Sequence, residues 1–440
     1  KRLENIIKEQ QRQIQAQAKA LDALRARVEK LSRENAATLE ILSKGKKVVV
    51  ETKREADMAL REVEAIDPTK EENKMYYRDF ARFRVPRTET MVTVSGFAKG
   101  SVIHDFDGIE SPTKFVTSKI VVDGKPPNVP DSRTGITANA SRFVIGSATP
   151  TKIGKLSTFL SMDFMGNTDS ASPDPRLRQV FGQLDDFFLG GSLRVGQSWS
   201  TWDDLPGLPE TLDYQGPNGS QQTRHPLVRW ARDFGDSVTL WAAIEDPDSN
   251  IENGDSQTRW PDGVLAVNYH GGWGYLKPAI LLRDIRGKAP TGNVQSEFGW
   301  GASLSSTINL PILAKKDNLK FQLVYGKGIG SYMNESGVND AVLAGNNLKL
   351  LPVFSGFGAL EHWWLEGLRS NAAFGWVDID NLSVEPPNAL SRTLYLAGNL
   401  IWSPIKQMDI GGELLWGQRK NKDGSKGSDT RLQFSARYNF

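Results

Sequence analysis

The final stretch of the chain, from Thr430 to Phe440, alternates apolar and polar side chains without a break. In a strand, successive side chains face opposite sides, so Leu432, Phe434, Ala436, Tyr438 and Phe440 share one face and Arg431, Gln433, Ser435, Arg437 and Asn439 the other. One face suits hydrocarbon and the other water. About ten such residues, tilted, span a bilayer, and a closed barrel is the β-architecture that leaves no unpaired backbone in lipid. The same period of two recurs from residue 89 onward and predicts about sixteen strands. They lie near 89–103, 141–150, 155–165, 177–189, 191–200, 227–234, 237–246, 262–270, 274–284, 296–309, 318–327, 353–363, 368–378, 392–403, 407–418 and 430–440.

Upstream the period is different. Residues 1–66 hold one heptad phase, with Leu21, Leu24, Val28 and Leu31 as its best seam and Gln10, Gln17 and Asn35 as polar seam positions. Such a repeat predicts a coiled coil, a rod of roughly 60 Å if Leu3 to Leu42 is unbroken, with Gly45 as the expected break. Asp67-Pro68 ends it, and residues 67–88, which carry Tyr76, Tyr77, Phe80 and Phe83 among charges, form a linker. The expected domains are therefore a coiled coil at 1–66, the linker at 67–88 and an all-β transmembrane barrel at 89–440.

The connections test the strand count. Junctions after even-numbered strands are short, as at Gly190-Gly191, Gly235-Asp236 and Gly271-Gly272, while those after odd-numbered strands are expected to be longer and rich in Gly, Pro, Asn and Asp. Short turns on one side and long loops on the other are the habit of bacterial outer-membrane barrels, turns periplasmic and loops outside. That rhythm places both ends of the barrel, and the coiled coil, in the periplasm. Lys44, Lys46, Lys47, Lys53 and Arg54 of the rod could then reach peptidoglycan.

Composition agrees. Mean hydropathy is −0.42 and no run of eighteen apolar residues exists, which excludes helical spans but not a barrel. The net charge of +2 is too balanced to argue for nucleic acid, and cysteine is absent. Lys1 opens straight into the charged repeat, so a signal peptide is expected to have been removed. Within strands, Leu156, Leu160, Met162 and Phe164 share the lipid face, as do Val238, Leu240, Ala242 and Ile244. The opposite parity assigns Arg142, Arg178, Arg194, Arg229, Lys277, Arg283, Lys320, Arg369, Arg431 and Arg437 to the lumen, against Asp163, Glu297, Asp409 and Glu413. Confined cations favour anions. The connection 201–226 is too long and Pro-rich for a bare turn, and its Asp203, Asp204, Glu210, Asp213 and Arg224 are expected to form a constriction. Arg224 with Arg229 could clasp a carboxylate.

The run Gly196-Gln197-Ser198-Trp199-Ser200-Thr201-Trp202, followed by Leu212-Asp213-Tyr214-Gln215-Gly216-Pro217-Asn218-Gly219 and then Arg229-Trp230, resembles the DcaP-type trimeric outer-membrane porins. That resemblance implies a sixteen-stranded barrel behind a periplasmic coiled coil, a homotrimer in outer-membrane lipid and lipopolysaccharide, and diffusion of small organic anions, dicarboxylates especially. Three other readings compete with this one. An enzyme would have to use His104, His225, His270 or His362 without cysteine, without a nucleophile of matching geometry and without metal-ligand or phosphate-loop spacing. No cofactor or metal is expected. A trimeric adhesin also joins a coiled coil to a barrel, but with only a few strands per chain. A structural tether to the cell wall is compatible with a porin.

Overall fold

The computed structural model describes residues 81–122, 129–167, 172–311 and 314–440. The coiled coil expected at 1–66, and the linker up to residue 80, lie outside them. From there on the alternation is realised as a closed antiparallel barrel. Its staves are β1 Met91–Asp105, β2 Arg142–Thr151, β3 Gly154–Asp163, β4 Arg176–Phe187, β5 Gly191–Trp199, β6 Arg224–Phe234, β7 Val238–Glu245 and β8 Asp262–Gly271. They continue as β9 Gly274–Lys288, β10 Val294–Asn309, β11 Asn318–Lys327, β12 Pro352–Leu365, β13 Leu368–Ile379, β14 Leu390–Ile405, β15 Met408–Asn421 and β16 Lys426–Asn439. Three short strands, Ala81–Arg84, Arg133–Thr137 and Asp255–Gln257, complete the same sheet. β16 closes on β1 in register from Asn439 opposite Phe97 to Arg431 opposite Asp105. Arg133–Thr137 extends β2 along the upper part of β1, and Ala81–Arg84 pairs with β1 below the end of β16.

Parity sorts the faces as alternation requires. On β3, Leu156 is exposed while Ser157, Phe159, Ser161 and Asp163 are buried. Two turns depend on glycine: Gly154 and Gly274 sit at φ of 123° and 126°, and a Cβ on either would lie 1.9 Å from a neighbouring carbonyl oxygen. The turn and loop rhythm holds with two corrections. The connections after β9 and β15 are only residues 289–293 and 422–425, shorter than the turn 310–317. The strands run on past the apolar stripe as protruding hairpins, because β pairing continues where side chains no longer report lipid.

A sixteen-stranded barrel is too wide for its own side chains to fill. Two loops fill it here. Residues 200–223, the third long loop, fold inward and are mostly buried, and residues 328–351 of the sixth loop pack beside them. Trp202 of the third loop and Ile329, Tyr332, Met333 and Val338 of the sixth bury against Ala266, Leu281, Val324, Val353 and Val377 of the wall. Above this core, Ile251–Glu252, Ala341–Ala344 and Asn347–Leu350 form a separate three-stranded sheet. An apolar core therefore occupies the β7–β13 side of the lumen.

A loop buried this way must have its backbone groups satisfied. The wall supplies the partners. Lys99 Nζ donates to Leu212 O at 2.5 Å, Lys320 Nζ to Leu208 O at 3.0 Å, and Lys277 Nζ to Asp203 O. Glu413 accepts the Leu212 and Asp213 amides at 2.8 and 2.7 Å, and Glu245 accepts the Thr201 amide at 2.7 Å. Arg369 grips Glu210 with Nε and Nη2 at 2.5 and 2.6 Å. Farther along, Gly219 lies so close to the wall that a Cβ would meet Gly356 O at 2.1 Å.

Two predictions follow from these ties. Arg431 is fully buried, with Nε 2.5 Å from Asp105 Oδ1 and Nη2 2.9 Å from Ser111 O. Arg431→Met leaves a buried carboxylate short of charge and should destabilise the barrel by about 3–5 kcal/mol in urea unfolding followed by tryptophan fluorescence, with much of the loss recovered in Arg431→Met/Asp105→Leu. Arg369→Met frees Glu210 and the middle of the third loop, so single channels in planar bilayers should show larger and noisier conductance than the unmodified protein.

Candidate functional site

With the β7–β13 side filled, open space inside the barrel lies elsewhere. A cavity of about 230 Å³ lies between the third loop and the β1–β6 wall. Its walls carry seven cationic side chains, namely Lys99, Lys114, Arg142, Arg176, Arg178, Arg224 and Arg437, against two carboxylates, Glu210 and Asp213. Both carboxylates are already engaged: Glu210 by Arg369, and Asp213 by the Phe115 and Gln215 amides at 2.9 and 2.8 Å. Phe97, Trp199 and Tyr214 stand among the cations.

The cations are held in a defined arrangement. Asp163, buried at the end of β3, receives Arg176 through Nε and Nη2 at 3.0 and 2.8 Å, Arg178 Nη1 at 2.7 Å, and the Tyr214 hydroxyl at 2.6 Å. Two guanidinium groups thus share one carboxylate, and Tyr214 of the third loop accepts from both. Arg178 and Arg224 both lie over the Trp199 ring, their guanidinium carbons 5.4 and 4.5 Å from its centroid. Arg142 and Arg437 both lie over Phe97, at 5.4 and 5.5 Å. Lys99, Lys114 and Arg224 have no ion-pair partner among the described residues. Burial holds the Lys114 ammonium below the usual lysine range. Burial opposes ionisation of the Tyr214 hydroxyl, yet Arg178 and Arg176 beside it hold it below the usual phenol range.

A second cavity, of about 810 Å³, opens on the turn end. Arg194, Arg229 and Lys277 share its walls with Asp203, Asp204, Asp233 and Asp236, so its charge is mixed. Trp199 borders both cavities.

The ten lumen cations expected from parity therefore separate into groups. Arg142, Arg178 and Arg437 meet at the basic cavity; Arg194, Arg229 and Lys277 lie at the turn end. Arg283, Lys320, Arg369 and Arg431 lie outside the walls of both and are held by carboxylates: Arg283 by Asp262 and Asp340, Lys320 by Glu361, Arg369 by Glu210 and Asp409, Arg431 by Asp105. Of the loop residues, Asp203 accepts the Thr223 amide and Asp204 the Tyr275 hydroxyl, both at 2.8 Å. Arg224 belongs to β6 rather than to the loop, and it faces a different cavity from Arg229, so the two form no common clasp.

The inward face also carries more acid than parity suggested. Asp105, Glu245, Asp262 and Asp429 are buried inside, whereas Glu297 is exposed. These acids lie at strand ends that the apolar pattern leaves unassigned. Positive charge is therefore concentrated in one cavity rather than spread around the wall. Lys99, Lys114 and Arg176 were missed. Lys99 shares the parity of Phe97 on β1 and could have been found that way, and Arg176 lies one residue before its expected strand. Lys114 arrives from the first loop, where no periodicity points to it.

A model of the DcaP outer membrane protein family matches residues 84–440. Among solved structures, the outer membrane channel DcaP of Acinetobacter baumannii has a TM-score of 0.73 at 21% identity, covering 82% of this chain and 100% of that one. OmpT of Vibrio cholerae has a TM-score of 0.53 at 11% identity over 82% and 100% of the two chains. An anion-selective porin from Comamonas acidovorans has one of 0.52 at 12% identity over 80% and 100%. These structural likenesses are of fold. No curated protein matches the chain in sequence. The closed barrel, the infolded third loop and a family match across nearly all of the described residues lead to one conclusion: the chain belongs to the DcaP outer membrane protein family, whose members are outer-membrane channels rather than enzymes.

Proposed function

We propose that this porin passes small organic anions, dicarboxylates among them, through the basic cavity between the third loop and β1–β6. The observation that carries this reading is the seven-to-two imbalance of cationic and carboxylate side chains around that cavity, with both carboxylates already bound. In a narrow passage walled by protein the field of such a cluster is poorly screened, so it concentrates anions and repels cations. Two cations in reach of one solute suit a molecule with two carboxylates, and the guanidinium fork matches carboxylate geometry. The anion-selective porin from Comamonas acidovorans, similar in fold, agrees in kind.

We also propose that the channel works as a homotrimer. On the outward face, the Ser147 and Thr158 hydroxyls of β2 and β3 bond each other at 2.7 Å, a polar pair that lipid would not solvate and a neighbouring copy could. OmpT of Vibrio cholerae, similar in fold, has been solved in a trimer form.

Reversal potentials across a salt gradient test the anion reading. The protein should prefer anions, and the preference should fade near 1 M salt, where the Debye length falls to about 3 Å. Arg224→Glu should lower the anion-to-cation permeability ratio severalfold, whereas Lys349→Glu, an exposed charge on the sixth loop, should leave it unchanged. Cation preference in the unmodified protein would overturn the reading.

A second test uses pH. As pH rises, Lys114 loses a positive charge and Tyr214 gains a negative one, and both changes lower the positive potential. Anion preference should therefore decline above neutrality, before ordinary lysines titrate near about pH 10.4. The decline over that interval should be smaller in Lys114→Gln/Tyr214→Phe than in the unmodified protein.

A further inference from the structure

On the outside of β14–β16 the exposed side chains change character in steps toward the long-loop end. Strand register aligns them in rows. Leu396, Trp416 and Thr430 stand side by side, then Leu394, Gln418 and Ser428, then Arg392, Lys420 and Lys426. Below the first row the surface is apolar, with Leu414 and Leu432 in one row and Leu400 and Phe434 in the next. Three cations thus lie directly across from one another on adjacent strands. Like charges so placed are destabilising, because their Cβ atoms are only about 4.5–5.5 Å apart. Asp378 neutralises Arg392, but Lys420 and Lys426 have no ion-pair partner among the described residues. Folding leaves two facing lysines uncompensated at the upper edge of the lipid-facing surface.

We propose that this surface binds the phosphorylated head of a glycolipid of the surrounding leaflet. Lys420 and Lys426 would hold the phosphate, Gln418 and Ser428 the sugar hydroxyls, and the apolar rows below the acyl chains. Spacing distinguishes this occupant from an ordinary anionic phospholipid. From the Leu396–Trp416 row to the cationic row is four residues along the strand, about 13 Å, with a hydrogen-bonding row between them. A sugar ring fits between acyl chain and phosphate at that spacing, whereas in a phospholipid the phosphate follows the glycerol esters directly. A cluster of cations at the membrane edge is also what anionic headgroups select.

Native mass spectrometry of the full-length protein in detergent, with added bisphosphorylated lipid A, fully dephosphorylated lipid A or phosphatidylglycerol, tests the proposal. The unmodified protein should retain the bisphosphorylated lipid, and Lys420→Gln/Lys426→Gln should weaken that retention by roughly tenfold or more. Lys349→Gln, removing an exposed cation elsewhere, should not. Unchanged single-channel conductance would show that the variant barrel is intact, and Lys426→Gln alone serves if the double variant folds poorly. Equal retention by the double variant would overturn the proposal. So would equal binding of the dephosphorylated lipid or of phosphatidylglycerol. Loss of subunit association with lipid retention unchanged would also overturn it, and would assign the lysines to a neighbouring copy.

Discussion

The structure depends on satisfying the backbone of a loop placed inside a barrel. The third loop brings peptide groups into a space from which they displace water, and an unpaired buried amide or carbonyl costs about 1–3 kcal/mol. Side chains of the wall reach inward to meet it: Lys99, Lys277 and Lys320 cap carbonyls, Glu245 and Glu413 cap amides. Long charged side chains suit this task because their stems cross the gap and their heads make charge-assisted bonds. Much of the lumen's charge is therefore scaffold, and solute meets only what the loops leave uncovered.

That division explains why the passage is off-centre. Trp202 and the sixth-loop residues Ile329, Tyr332, Met333 and Val338 build a core on the β7–β13 side that is as buried as the interior of a soluble protein. The opposite wall is left facing open space, and there the cations outnumber the carboxylates. A low-dielectric core on one side of a charged cleft strengthens the field within it, since field lines cannot spread into the packed half. A net charge of +2 over the whole chain says little about such a site. Position decides its character.

Much of this was legible in the sequence, for a physical reason. Alternation between lipid and water is imposed at every residue of a spanning strand, so the β3 pattern Leu156, Leu160, Met162 reports its outer face directly, and all sixteen staves appear within a few residues of their expected places. Where lipid ends, so does the signal. The upper parts of β9, β10, β15 and β16 stay paired beyond the lipid-facing stripe, so tight hairpins stand where long loops are expected from the apolar pattern. The site was less legible because parity shows which way a side chain points, not what stands opposite. Arg283 and Arg178 have the same parity, yet one is locked between Asp262 and Asp340 and the other lines the open cavity. Only the path of the loops separates them.

For the anion conduction proposed above, the cluster around Asp163 would let the site attract anions without trapping them. Three cations packed at close range, Arg176, Arg178 and Arg224, would repel one another, and long side chains would spread into solvent. Asp163 and Tyr214 hold Arg176 and Arg178 in place, while Trp199 offers its face to Arg178 and Arg224. Ordering these side chains before a solute arrives removes an entropy cost that binding would otherwise carry. The carboxylate also cancels part of the charge, which makes the well shallower. Conduction needs both effects, attraction enough to enter and weakness enough to leave. A cavity of bare arginines would meet the first requirement and fail the second; a fully paired wall would do the reverse. Two guanidinium groups on one carboxylate, beside an Arg224 that has no ion-pair partner among the described residues, lie between those limits.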